Sequence, residues 1–345
     1  MPVVEKDIMQ RPLLTIAIPT FNRAPKLKRL LNIIQEQIAA SNLQACVCIL
    51  VSDNASTDQT PAVASEFTGT GFNFTYYRQP QNLGLDGNLR FLYAHAKSRY
   101  VWFMADDDFP LKGAIGKLVN VLEAYDPDVL LFSFIQPPGS TVRQFDYPEP
   151  VRLVSDPVSA IEHILCYTKV SIFVIRKVAF DSSQWRALDE NLGSGWYYIS
   201  LAFSVLEASR NLRLAAISEP LATSDEDYFV IAYVPVALLR MHTIVQHPFV
   251  LKHNPGLLKQ YHEVGYYQAI QFAFAAKTGG LVPESPQEYD EFIKDLECRI
   301  PTLLRRPRSL LQFVALKLRI ASLWPNIRPI VKRVKTLFLS QKSRC

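Results

Sequence analysis

Short apolar runs alternate with amphipathic stretches through the first 134 residues, and that rhythm leaves few folds open. The runs are residues 13–18, 45–51, 72–77, 100–104 and 128–134. Each is too short for a typical helix, so each reads as a buried strand. Between them, residues 26–39, 61–67, 87–97 and 111–124 read as helices; the first puts Leu27, Leu30, Leu31, Ile34 and Ile38 on one face. Strands joined by helices run parallel and need cover on both faces. The predicted fold class is therefore α/β, with a mostly parallel central sheet.

A Pro/Gly-rich stretch, residues 136–150, then breaks the rhythm. Residues 156–166 read as a helix capped by Asp156, 170–175 as a strand, 196–208 as a helix and 212–217 as a strand. Beyond Glu219 the pattern is mainly helical. Five scattered cysteines suggest a reducing compartment rather than a disulfide framework, and Cys46 and Cys48 read as core residues. Residues 1–10 lack the apolar segment of a signal peptide, and no run reaches the ~18 apolar residues of a membrane span. The expected location is cytoplasmic. Four histidines, His242, His247, His253 and His262, show no metal-ligand spacing and read as structural or surface.

The net charge of +5 is unevenly spread. Residues 301–345 hold eleven of the 37 lysines and arginines and none of the 32 acids. There Ile327, Ile330, Val331, Val334 and Phe338 follow helical spacing, with Arg328, Lys332, Arg333 and Lys335 on the other face. A basic amphipathic helix of this kind lies on an anionic membrane surface. Nucleic-acid binding and a solvated helix are the competing readings, and no nucleic acid is expected.

Polar residues gather where the strands end. After the first come Pro19-Thr20-Phe21-Asn22-Arg23, whose N–H groups, hydroxyl, amide and guanidinium suit a phosphate at a helix N-terminus; a plain turn is the alternative. After the second, Asp53 begins Asp-Asn-Ala-Ser-Thr-Asp, placed to bind a ribose or base, or else to form an Asx-turn with Asp58 or Thr57 capping a helix. A phospho-acceptor receiver would need an acidic pair after the first strand, where Pro19-Thr20 stands. Asn82-Leu83-Gly84 precedes the next helix. After the fourth strand come Asp106, Asp107 and Asp108. Three adjacent carboxylates repel one another, and a divalent ion holding a diphosphate would relieve that. A solvated acidic turn is the alternative.

In this order and at these strand ends, the motifs resemble those of the inverting GT-A glycosyltransferases of family 2. The Ala-Asp-Asp-Asp form is most similar to the abequosyltransferase and rhamnosyltransferase subset, which builds bacterial surface polysaccharides. The resemblance covers about residues 12–135. It implies that Pro19, Thr20, Asn22 and Arg23 line a nucleotide pocket bordered by Asn82 and Gly84. Asp53 would contact the base or ribose, and Asp106 the ribose. Asp106, Asp107 and Asp108 would supply the ligands of Mg²⁺ or Mn²⁺. Ala105 stands where many members carry an acid, so the Asp-x-Asp spacing appears one residue later.

The family usually places its catalytic base at the start of a helix in the second half. No acid precedes Trp196 and Tyr197, so Asp189 and Glu190 are the base candidates, with Asp225, Glu226 and Asp227 as fallback. Trp196, Tyr197 and Tyr198 stack on an acceptor sugar or pack in the core.

The implied partners are a nucleotide-diphospho-sugar, a glycan or lipid-linked glycan acceptor, and the inner face of the membrane. The expected organisation is a tail (1–11), a GT-A domain (12–225, nucleotide half 12–135 and acceptor half 136–225), a helical extension (226–300) and the basic tail (301–345). A non-catalytic nucleotide-sugar-binding module is the alternative. A sugar nucleotidyltransferase would want a glycine-rich first loop, and residues 19–23 have no glycine.

Overall fold

The structure, a computed structural model, describes residues 11–135, 140–141, 143–166, 168–224, 241 and 243–260. The chain divides into two compact units: Met1–Asp227 with His247–Asn254, and Tyr228–Gln246 with Pro255–Cys345. In the second, the helix Gly256–Gln260 is described. The basic tail, the acids 225–227, His242 and His262 lie outside the described residues.

The first unit is built on one nine-stranded sheet. Strands β1 (Leu14–Thr20), β2 (Val47–Asp53), β3 (Asn73–Arg78) and β4 (Tyr100–Phe103) lie parallel in the order β3-β2-β1-β4. Every residue of β1 is buried. The periodicity therefore has no polar face to show, because helices cover both sides. The connecting helices are α1 (Ala24–Ala40), α2 (Thr60–Glu66) and α3 (Gly84–His95). The buried stripe of α1 is Ala24, Leu27, Leu30, Leu31, Ile34 and Ile38. Each such leucine or isoleucine contributes about 2 kcal/mol through burial.

Beyond β4 the sheet becomes mixed. The neighbours in order are β8 (Val174–Arg176), β6 (Val129–Ile135), β9 (Leu214–Ser224) and β5 (Asp108–Pro110), with β7 (Val151–Val154) also pairing with β9. Strands β6 and β9 run with the first four, while β5, β7 and β8 run against them. The expected mostly parallel sheet is thus present, six strands against three.

Two short strands escaped the sequence pattern. The segments β5 and β7 are three and four residues long, and each is held by β9 rather than by its own periodicity. Strand β9 runs past the predicted end at residue 217 and passes through Pro220. It can do so because the β6–β9 register shifts around Ser133, the position paired with Pro220. A bulge of this kind accommodates a residue with no N–H to donate.

Helices α4 (Ala114–Tyr125), α5 (Pro157–Cys166), α6 (Ser182–Asp189), α7 (Tyr197–Ala208) and α8 (Pro248–His253) complete the unit. Asp156 accepts from the Ser159 N–H near the start of α5. Asp181 and Gln184 form a capping box on α6, a helix the sequence reading did not anticipate. His247 is structural: its Nδ1 accepts from the Phe249 N–H at the start of α8, and its Nε2 lies 3.0 Å from Ser204 Oγ. Tyr197 and Tyr198 are buried, which favours their core reading.

Candidate active site at the strand ends

The loops after β1 and β2 are zipped together by side chains. The Asn54 N–H donates to Thr20 O, Asn22 N–H to Ser56 Oγ, and Thr57 N–H to Asn22 Oδ1. Arg23 and Ala24, at the N-terminus of α1, donate their N–H groups to Thr60 Oγ1 and Asp58 Oδ2. The start of α1 is therefore capped from the β2–α2 loop, and those N–H groups are already engaged. This corrects the expectation that they face a phosphate. What remains for an anion is the Arg23 guanidinium, on a side chain 45% exposed. Asn22 holds a left-handed backbone, φ 53°, which turns the loop back over the strand ends.

The three aspartates do not act as a group. Thr20 Oγ1 donates to Asp106 Oδ2 at 2.7 Å, and Arg23 Nη1 reaches Asp106 Oδ1 at 2.9 Å and Asp107 Oδ2 at 2.7 Å. Asp108 turns the other way. It is fully buried as the first residue of β5, accepts from Ser171 Oγ, and pairs with Lys169 Nζ at 3.0 Å. Ser171 Oγ also accepts from the Ala105 N–H, and its carbonyl accepts from Trp102 Nε1. Ser171 thus fixes the acidic turn from beneath.

Burial pushes the Asp106 carboxyl up to about 6, although Arg23 and the Thr20 hydroxyl pull the other way. Burial raises Asp108 as well, against the opposing pull of Lys169 and Ser171.

Asp53 sits at the carboxyl end of β2 as expected, but it does not face a ligand. It is fully buried, with Oδ1 accepting from the Ser56 N–H and Oδ2 from the Tyr76 hydroxyl at 2.6 Å. The turn reading describes this carboxylate better than direct base contact. Asn54 joins the next loop to it: its amide donates to Asn82 Oδ1 and Gly84 O, and its Oδ1 accepts from the Leu83 N–H. Asn82 and Gly84 thereby reach the same strand ends, with Gly84 at φ 70°, a conformation suited to glycine.

The two base candidates differ in their surroundings. Asp189 is the last residue of α6 and is gripped on both oxygens by Arg90 of α3. Glu190 follows as an exposed C-cap. The start of α7, where no sequence neighbour supplies an acid, receives Asp86 of α3 instead. That buried carboxylate accepts from the Gly195 N–H at 2.7 Å and the Tyr197 N–H at 3.4 Å. Asp86, Asn54, Tyr76, Lys169 and Ser171 were all missed in the sequence. Ser171 and Asp108 are 63 residues apart, and Asp86 and Gly195 are 109 apart, so no local pattern links them.

Among the described residues, no three or more Asp, Glu, His or Cys side chains gather to hold an ion. Two oxygens nonetheless converge on one cationic atom, Arg23 Nη1, which stands in for a positive charge between Asp106 and Asp107. Two hard oxygen donors with an open outer side suit Mg²⁺ or Mn²⁺, which complete their shell with water and phosphate oxygens. Asp108, pointed at Lys169, is outside that pair.

A sheet that turns from parallel to mixed, with an acidic turn and a basic loop at its strand ends, defines a GT-A-type glycosyltransferase fold. Residues 15–180 match the family described as Glycosyl transferase family 2. Abequosyltransferase RfbV of Salmonella typhimurium is 35% identical over 113 residues, covering 32% of this chain and 33% of that protein. GalNAc(5)-diNAcBac-PP-undecaprenol beta-1,3-glucosyltransferase of Campylobacter jejuni is 29% identical over 135 residues, covering 39% of this chain and 42% of its own length. The matched segments thus span well under half of these curated relatives.

Among solved structures, S. aureus TarS 1–349 in complex with UDP-GlcNAc gives a TM-score of 0.55 at 14% identity, over 93% of this chain and 92% of that one. The mannosyltransferase PcManGT from Pyrobaculum calidifontis, in complex with GDP-Man and Mn²⁺, gives 0.50 at 16% identity, over 91% and 88%. These likenesses show the shared fold.

Proposed function

We propose that this protein transfers a sugar from a nucleotide-diphospho-sugar to a glycan acceptor, with inversion, in the synthesis of a surface polysaccharide. The observation that carries this reading is the pair Asp106 and Asp107, converging on the exposed Arg23 guanidinium at the carboxyl ends of β1 and β4. That is where open α/β sheets bind nucleotides. The curated relatives support it, both being named as sugar transferases. A non-catalytic module gains no support from them.

Arg23 would swing from the carboxylates onto the diphosphate, a bidentate anion that suits its planar fork. Mg²⁺ or Mn²⁺ on Asp106 and Asp107 would offset the charge of the leaving diphosphate. Thr20 holds Asp106 in place for this, and Asn54 holds the Asn82–Gly84 loop against the same pocket. Asp189, oriented by Arg90, is the proposed base that takes the acceptor hydroxyl's proton.

The acceptor is proposed to be lipid-linked, as the name of the Campylobacter relative includes undecaprenol. Residues 301–345 would hold the enzyme on the anionic inner leaflet. No described helix is long and apolar enough to cross a membrane.

Purified protein with Mn²⁺ should release nucleoside diphosphate from one of a panel of UDP-, GDP- and dTDP-sugars. Asp107→Ala should lower this about 100-fold or more while leaving the circular dichroism spectrum unchanged, since it removes a transition-state charge contact of roughly 3 kcal/mol. Wild-type protein that neither turns over nor is thermally stabilised by any nucleoside diphosphate would sink the reading.

A further inference from the structure

Tyr197 is buried with its hydroxyl unused. It opens α7, its side chain is fully enclosed, and its oxygen meets no donor or acceptor among the described residues. The three other buried tyrosines in that set all pair theirs. Tyr93 donates to Arg176 O and accepts from the Val178 N–H, Tyr100 donates to Asp126, and Tyr198 donates to Thr168 O. An unpaired buried hydroxyl costs free energy that a phenylalanine would avoid.

Its surroundings give that oxygen a use. The ionisable groups around it are Asp189 of α6 and Arg90, Tyr93 and Asp86 of α3. Burial first, and the Asp189 charge second, raise the hydroxyl well above its ordinary range, so it keeps its proton and remains a donor. Asp86 is spent on the N–H groups of Gly195 and Tyr197. Asp189 has capacity to spare: Arg90 places Nε on one oxygen and Nη2 on the other, while a carboxylate offers about four lone-pair sites. Gly193 and Gly195, at φ 83° and 78°, fold the turn between α6 and α7 so that Asp189 and Tyr197 both meet α3.

A carboxylate held on both oxygens by a guanidinium is well oriented but a weak base, because the cation stabilises its charge. Exchanging the cation for a neutral hydroxyl on one oxygen keeps the orientation and restores proton affinity. We propose that Tyr197 is a positioning residue for Asp189, its hydroxyl taking over one carboxylate oxygen from Arg90 when the acceptor enters. The acceptor hydroxyl's proton then passes to Asp189, and Tyr197 keeps its own. This rests on Asp189 being the base and adds how that base is freed from its ion pair.

Tyr197→Phe removes the oxygen and nothing else. The assay is nucleoside diphosphate release by the full-length protein with Mn²⁺ and whichever UDP-, GDP- or dTDP-sugar the wild type consumes, water serving as the acceptor hydroxyl. Tyr197→Phe should lower kcat about tenfold, the weight of one hydrogen bond, with KM for the nucleotide sugar unchanged. Its urea midpoint should stand at or above that of the wild type, since an unpaired buried hydroxyl is gone. In an Asp189→Asn background the same substitution should slow release no further.

An unchanged kcat in Tyr197→Phe overturns the inference. So does a lowered urea midpoint, which would make the hydroxyl an ordinary structural contact, and so does a further loss in the double variant. Full activity in Asp189→Asn overturns the base reading itself, and is told apart because it appears in a protein whose Tyr197 is intact.

Discussion

At the scale of single residues, burial sets the chemistry of Asp106. It is a buried carboxylate held by one hydroxyl and one guanidinium. Its folded pKa, about 6, stands above the ordinary value of 3.8. Below pH ~4 both folded and unfolded chains are protonated, and the contribution to stability is fully present. As pH rises through about 6 the folded protein must ionise a buried group, and that contribution is lost, up to about 3 kcal/mol. The urea midpoint of the wild type should therefore carry a component falling between pH ~4 and ~6, which Asp106→Asn abolishes. An identical pH profile for the two proteins would refute the assignment. Asp53 teaches the opposite lesson. Its place at a strand end promised a ligand contact, yet Tyr76 and the Ser56 N–H satisfy it internally.

At the scale of elements, the far end of the sheet is stapled by one arginine. Arg176, at the end of β8, donates to Asp126 Oδ1, to the carbonyls of Asp126 and Pro127, and to Asp128 Oδ1 at 3.1 Å. Asp126 in turn accepts from the Tyr100 hydroxyl at the start of β4 and pairs with Arg213 just before β9. One side chain thus ties together the antiparallel strand and its neighbours, at the end of the strands opposite the acidic turn. Its side chain is only 16% exposed, and removal leaves the buried Asp128 without its cation, while Asp126 keeps Arg99 and Arg213. Arg176→Met should cost about 3 kcal/mol and lower the melting temperature by roughly 10 °C. Nucleotide binding at low temperature should be retained. A melting point within a degree of wild type would show the staple to be ornamental.

At the scale of the whole molecule, residues 301–345 hold eleven of the 37 lysines and arginines and no acid, the excess that makes the net charge positive. Deleting them should shift the protein from the membrane pellet to the soluble fraction on cell fractionation, while turnover of a water-soluble acceptor analogue persists. An unchanged distribution would remove the membrane reading.

The sequence by itself determined the alternation of strands and helices, the buried stripe of α1, and the polar residues that close β1, β2 and β4. These are local properties, written in periodicity and in the residues that break it. Only the tertiary structure decided which of those residues face outward. The cap on α1 comes from Asp58 and Thr60, the cap on α7 from Asp86, and the partner of Asp108 from Lys169. The reason is that a carboxylate's role depends on which donor reaches it first in a low-dielectric interior. Here those donors arrive from strands and turns that only the folded sheet brings together.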